Sequence, residues 1–283
     1  MHYKVTKRVL LTGVFIALLM LTFLPAAATA ENVLKVGGTG SGLGSMRLLG
    51  EAYEKKHPGV RVQVVPSLGS GGGIKSVLQG ALDLAISSRP LTESEMKAGA
   101  SAMDYARTPF FFVAHRKVGL SGLTTQELEQ IYAGKMPNWP DGSRIRLVLR
   151  PDTDQDTKIV KSISPAMEKA VDAALAREGM ILASTDLESD ESVAKIPGAL
   201  GSSTLTQLVT GKFPLKTLSF NGVKPTLKAI DDGSYPLFKT LSFVTVPNTS
   251  AAARQFVEFI LSPAGRKILA NSGNLAVAGG VGR

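Results

Sequence analysis

Hydroxyl and backbone N–H donors gather at two glycine-rich turns, Gly37-Gly38-Thr39-Gly40-Ser41-Gly42 and Gly69-Ser70-Gly71-Gly72-Gly73. Glycine lets a backbone turn sharply and expose successive N–H groups, while Thr39, Ser41 and Ser70 add hydroxyls. The chemistry this suits is capture of an anion, because a helix starting at each turn adds unpaired N–H groups and partial positive charge. A third polar group, Ser87-Ser88-Arg89, follows another apolar run. Taken singly, each turn also reads as a tight connection with an N-capping hydroxyl, and Arg89 as a salt-bridged surface residue. Three in series favour one polar ring.

The elements that must position these groups follow from periodicity. Val33 to Val36 is a strand candidate, and Leu43 to Lys56 carries Met46, Leu49, Ala52 and Tyr53 at helical spacing. Val60 to Val65 alternates as a strand, Ile74, Val77 and Leu78 mark a helix, and Leu82 to Ile86 a third strand. This β-α-β-α-β order predicts an α/β fold whose parallel strands bring both turns and Ser87-Ser88-Arg89 to their carboxyl ends, where open sheets place ligands. Further on, Pro109 to Ala114, Ile145 to Leu149 and Met180 to Ala183 read as strands, and Thr124 to Tyr132 and Lys158 to Arg177 as helices. Tyr235 to Val246 is a long strand-like run, and Ala251 to Ala270 is helical with a break before Pro263. Two long strands more than a hundred residues apart predict a chain that crosses twice between lobes. Residues 31–112 with 238–283 would form one lobe and 113–237 the other.

At the N-terminus Lys4, Lys7 and Arg8 precede the apolar run Val9 to Leu24 and then Ala28-Thr29-Ala30. That is the pattern of a cleaved secretory signal over residues 1–30, too short in its apolar run for a spanning helix. The sequence contains no cysteine. Disulfides, thiolate metal sites, a cysteine nucleophile and a lipidated anchor are thereby excluded, and a periplasmic location is expected. The net charge of +9 falls to +6 once the leader's three basic residues are set aside, a sign that suits an anionic ligand. Basic residues are scattered and aromatics few, so no nucleic-acid partner is expected. Neither turn has the G-x-G-x-x-G or Gly-Lys-Ser/Thr spacing of nucleotide sites, and there is no G-x-S-x-G elbow. His57 and His115 have no evident acid and nucleophile partners. No cofactor, metal or enzymatic activity is expected.

The series Gly38-Thr39-Gly40-Ser41, Glu51-Ala52-Tyr53-Glu54-Lys55-Lys56-His57-Pro58-Gly59-Val60, Gly69-Ser70-Gly71-Gly72-Gly73-Ile74 and Leu82-Asp83-Leu84-Ala85-Ile86-Ser87-Ser88-Arg89-Pro90-Leu91 resembles the phosphate-binding proteins of phosphate ABC importers. Leu123 to Lys135 with Asn138-Trp139, Ile196 to Gly201 and Tyr235-Pro236-Leu237 extend the resemblance in the same order. It implies a two-lobed type II periplasmic-binding fold, each lobe a mixed, mainly parallel sheet flanked by helices. It also implies a protein that closes on phosphate or a related oxyanion and delivers it to a membrane permease; a monomer is expected. Carried over by position, Thr39, Gly40, Ser41, Ser70, Gly71 and Ser88 would line the first lobe's side of the site, and Ser87 and Arg89 are placed there by the third strand's end. Arg150, Asp152 and Thr157 would line the second's, with the Arg150 guanidinium meeting two oxyanion oxygens at once.

One stretch departs from that pattern. Where the family resembles Arg-x-Asp-Gly-Ser-Gly-Thr, this chain reads Arg150-Pro151-Asp152-Thr153-Asp154-Gln155-Asp156-Thr157. At about 5 Å and an effective dielectric near 20, each carboxylate in the cleft would oppose a monoanion by roughly 3 kcal/mol. Asp154 and Asp156 are expected either to cap a helix and face solvent or to occupy the anion's place. Besides oxyanion delivery, reception of a different small ligand and an exported serine hydrolase using Ser41 or Ser70 stay open at this level.

Overall fold

The structure, a computed structural model, describes residues 32–281, so the expected signal at 1–30 lies outside the described residues. The chain begins with β1 (Asn32–Gly38), α1 (Gly40–Glu54), β2 (Val60–Val64), α2 (Gly69–Leu78), β3 (Leu84–Ser87) and α3 (Glu93–Lys97). These lead into the 15-residue strand β4 (Ser101–His115). Then come β5 (Gly122–Leu123), α4 (Thr125–Tyr132), β6 (Arg146–Leu149), α5 (Gln155–Lys161), α6 (Pro165–Leu175), β7 (Ile181–Leu182), α7 (Asp186–Lys195), β8 (Ala199–Thr204) and α8 (Leu205–Gly211). β9 (Leu215–Thr217), β10 (Ser219–Phe220) and α9 (Leu227–Asp231) precede a second long strand, β11 (Phe238–Thr245). α10 (Ala251–Leu261), α11 (Pro263–Asn271) and β12 (Leu275–Val281) follow.

The main sheet runs β2-β1-β3-β11-β4-β8-β6-β7. β1 pairs with β3 in parallel, and β8 with β6 and β6 with β7 likewise, as crossover connections through helices require. β4 joins the halves. Its residues 101–109 pair antiparallel with β11, and 110–114 pair antiparallel with β8. The apolar clusters divide at the same place: two draw on residues before Phe110 and after Leu237, one from Leu34 to Ala106 with Leu241 to Leu269 and a smaller one of Ile74, Val77, Leu82, Ala85, Ala100 and Val244, and the third on Phe110 to Leu237.

Two elements differ from the periodicity reading. The expected helix 158–177 is two helices, because Pro165 brings no N–H and Ser164 starts a new helix by accepting the Met167 N–H at 2.9 Å. β4 starts at Ser101, eight residues before the apolar run, since its partly exposed first half takes its strand conformation from pairing with β11. Among the described residues no helix is long and apolar enough to cross a membrane.

Candidate functional site

The three strand-end turns meet. β1 ends at Gly38 with φ +126°, where a Cβ would fall 2.0 Å from the Ile86 carbonyl oxygen, so only glycine lets the turn lie against β3. Thr39 then donates its N–H to Ile86 O at 2.9 Å. The Ser88 hydroxyl donates to Thr39 Oγ1 at 3.3 Å and lies 3.2 Å from Ser70 Oγ, which also accepts the Ser88 N–H at 3.0 Å. Thr39, Ser70 and Ser88 thus form one connected set of hydroxyls. Helix capping sets these turns apart. From α3 onward every helix has a Ser, Thr or Asp N-cap that accepts a backbone N–H, whereas Thr39 before α1 and Leu68 before α2 make no such bond.

What faces the hydroxyls is a carboxylate. Asp186, the first residue of α7, accepts from Thr39 Oγ1 at 3.2 Å on Oδ2 and from Ser41 Oγ at 3.1 Å on Oδ1. Lys239 on β11 donates to the same Oδ1 at 2.8 Å and to Ser41 Oγ at 2.8 Å, and it ion-pairs with Asp156. Lys239 is 1% exposed, Asp156 2% and Asp186 3%. Burial works against the Asp186 carboxylate, but Lys239, Arg150 and the Ser41 hydrogen bond outweigh it and hold the carboxyl below the usual range. Burial dominates at Asp156 and pushes it up to about 6 despite Lys239.

The two acids of the turn diverge, and neither simply faces solvent. Asp154 caps α5 by accepting the Asp156 N–H at 2.9 Å and takes Arg150 Nη2 at 2.7 Å on its other oxygen. Asp156 instead turns inward, to Lys239 and to the Ser202 hydroxyl at 3.0 Å. The Arg150 fork is spent on Asp154 and on the Ala183 carbonyl at 2.7 Å, leaving its buried Nε without an acceptor. Thr157 donates to the Arg150 carbonyl at 3.0 Å and fixes this turn.

Other expected site residues stand apart. Arg89 grips Glu95 through two hydrogen bonds of 2.7 and 2.9 Å, which holds that carboxyl down at about 2, although its guanidinium still passes beside Gly71. Ser87 donates to the Arg89 carbonyl at 2.7 Å and closes a local turn. Asp152 is exposed and bonds Lys161 at 2.5 Å. The Ser41–Lys239 contact resembles a nucleophile with its base. Asp156 and Asp186 hold that lysine protonated, however, above its ordinary pKa against the opposing effect of burial, so it cannot take a proton from Ser41. His57 stacks on Tyr53 and His115 accepts the Lys117 N–H, neither at this cluster.

Asp186, Asp190, Gln207 and Lys239 were not anticipated from the sequence. Thr185 with Glu188 carries the T-x-x-E signature of a helix start, and the Glu188 N–H does bond Thr185 Oγ1 at 3.2 Å, so α7 had a readable beginning. Lys239 stands alone in an apolar strand, which implies a buried acid but not which one.

Behind Asp186 lies Asp190, fully buried, with Oδ2 accepting from Gln207 Nε2 at 2.5 Å. Burial pushes it up to about 7, with the Asp186 charge reinforcing and hydrogen bonds from Ser203 and Gln207 opposing. The unfolded chain releases this proton near pH 4 and the folded protein only near 7, so stability falls as pH rises through that window and levels above it. Between pH 5 and 8 wild type should lose about 2 kcal/mol more than Asp190→Asn in urea unfolding. Equal losses would show that Asp190 is ionised throughout.

The paired strands, crossing β4 and polar cradle between two cores define a two-lobed solute-binding protein. The chain belongs to the family so described: residues 25–264 match the PBP superfamily domain. It is 25% identical over 239 residues to the phosphate-binding protein PstS of Bacillus subtilis, covering 82% of this chain and 76% of that one. To PstS of Borreliella burgdorferi it is 23% identical, covering 87% and 91%. A Clostridium perfringens protein solved with bound phosphate shares the fold at a TM-score of 0.73 and 22% identity, over 87% of this chain and all of that one.

Proposed function

We propose that this chain is the extracytoplasmic solute-binding protein of an ABC importer, which takes phosphate or a related small oxyanion between its lobes and delivers it to a membrane permease. The observation that carries the reading is chemical: Thr39, Ser41 and Lys239 already close on an anion, the Asp186 carboxylate, at 2.8 to 3.2 Å. The phosphate-binding relatives along most of the chain support it. In this reading the lobes are 31–112 with 238–283 and 113–237, the leader 1–30 is cleaved, and the protein works unlipidated in the periplasm as a monomer. Thr39, Ser41, Ser70, Ser88, Arg150 and Lys239 are the donors to the anion.

Phosphate is favoured over sulfate because it carries a proton at neutral pH that a cleft carboxylate such as Asp156 can accept, whereas sulfate brings only repulsion. Calorimetric titration of refolded protein should therefore show heat with phosphate and little with sulfate. Thr39→Val, which removes one donor to the buried anion, should weaken phosphate binding by about 1 to 3 kcal/mol. No heat from either anion at millimolar concentration, in wild type or in the Asp186 variants described below, would defeat the oxyanion reading and leave the fold.

A further inference from the structure

We propose that Asp186 is a tethered occupant of the anion position, a latch that holds the lobes together and must leave before an external oxyanion enters. The inference rests on reading the cleft as an anion site. Its first support is where the bonds run. Asp186 lies 147 and 145 residues from Thr39 and Ser41, and 53 from Lys239, so one carboxylate at the tip of α7 gathers donors from the start of α1 and from β11. α7 packs with the core of Phe110 to Leu237 through Val193, while Met46 and Leu49 of α1 and Leu241 and Phe243 of β11 belong to the larger cluster on the other side. The carboxylate therefore spans the two lobes.

Space gives the second support. A Cβ on Gly40 would come within 3.0 Å of both Cβ and Oδ2 of Asp186, so the glycine between the two hydroxyl residues leaves room for this side chain and little more. Thr39 Oγ1, Ser41 Oγ and Lys239 Nζ all close on the carboxylate at 2.8 to 3.2 Å, which leaves no gap between them for a tetrahedral oxyanion. Entry of such an anion requires displacement of the carboxylate that now meets Thr39, Ser41 and Lys239.

Charge gives the third. Arg150 and Lys239 face Asp154, Asp156 and Asp186, two cations against three carboxylates. Exchanging the Asp186 carboxylate for one monoanion preserves that count, whereas adding a monoanion beside it leaves four negative groups on two cations. Exchange is the low-energy route. Asp186 thereby sets both which ligands can compete and how strongly.

The test uses Asp186→Asn, which keeps the side chain's shape, and Asp186→Ala, which removes it, each checked for folding by urea unfolding. Small-angle scattering in phosphate-depleted buffer should give wild type a compact form and both variants a larger radius of gyration, which contracts when inorganic phosphate is added. Calorimetry should show the variants binding phosphate on the order of a hundredfold more tightly than wild type. Folded variants whose phosphate-free scattering superimposes on that of wild type would overturn the latch, whatever their affinities. Variants that open but bind no oxyanion would uphold the latch while defeating the proposed ligand, so the two failures are distinct.

Discussion

Lys239→Met should cost about 3 to 5 kcal/mol of folding stability, because it leaves Asp156 and Asp186 buried without the cation between them. The methylene stem is preserved, so lost packing contributes little and the effect reports charge. The loss should be smaller at pH 5 than at pH 8. Without Lys239 both carboxyls retain protons in the folded state above the pH at which the unfolded chain releases them, and stability then falls as pH rises. Adding Asp156→Asn and Asp186→Asn to Lys239→Met should recover most of the loss, since neutral groups of the same shape need no counter-charge. Equilibrium unfolding in urea at both pH values checks all three statements. A Lys239→Met protein within 1 kcal/mol of wild type at pH 8 would mean that the lysine does not bridge these acids.

Gly38→Ala is the second large effect. The new methyl would sit 2.0 Å from the Ile86 carbonyl oxygen at a backbone φ of +126°, so steric overlap adds to strain for a destabilisation of roughly 3 to 5 kcal/mol. Displacing β3 to relieve the overlap would also move Ser88 from Thr39 and break the hydroxyl chain. The variant should lose phosphate binding more completely than Thr39→Val does. A folded Gly38→Ala protein with wild-type unfolding midpoint and affinity would show that the turn does not need its glycine.

The parts of the fold that could be read in the sequence are those with local causes. The β1-α1-β2-α2-β3 succession showed itself through the 2.0 and 3.6 periods of Val60 to Val64 and of Met46, Leu49 and Tyr53, and the turns showed themselves through glycines at strand ends. The hydroxyls of Thr39, Ser70 and Ser88 converge because parallel strands must end on one side. Ser164-Pro165 carries the signature of a helix start, but it lies inside a strong apolar rhythm that runs through it. The charges are different. Asp186 and Lys239 meet across 53 residues, and nothing near either one specifies the other. Asp154 and Asp156 differ by two positions yet diverge in role, because at the first turn of α5 one points back to cap and the other is carried inward to Lys239.

At the crossing, Pro109 and Phe238 stand opposite each other where β4 passes from one core to the other beside β11. The Phe110 N–H still reaches the Leu237 carbonyl at 3.0 Å, so the ribbon stays bonded where its two halves separate. Two adjoining strands of this kind behave as a leaf spring: compliant to flexing across the width of the sheet, stiff to twisting and to sliding. Relative movement of the cores is thereby channelled into one degree of freedom. Lys239, one residue beyond Phe238, places the charge that binds Asp186 beside this crossing, so the contact between β11 and the tip of α7 lies close to the pivot, where a rotation of the cores displaces it least.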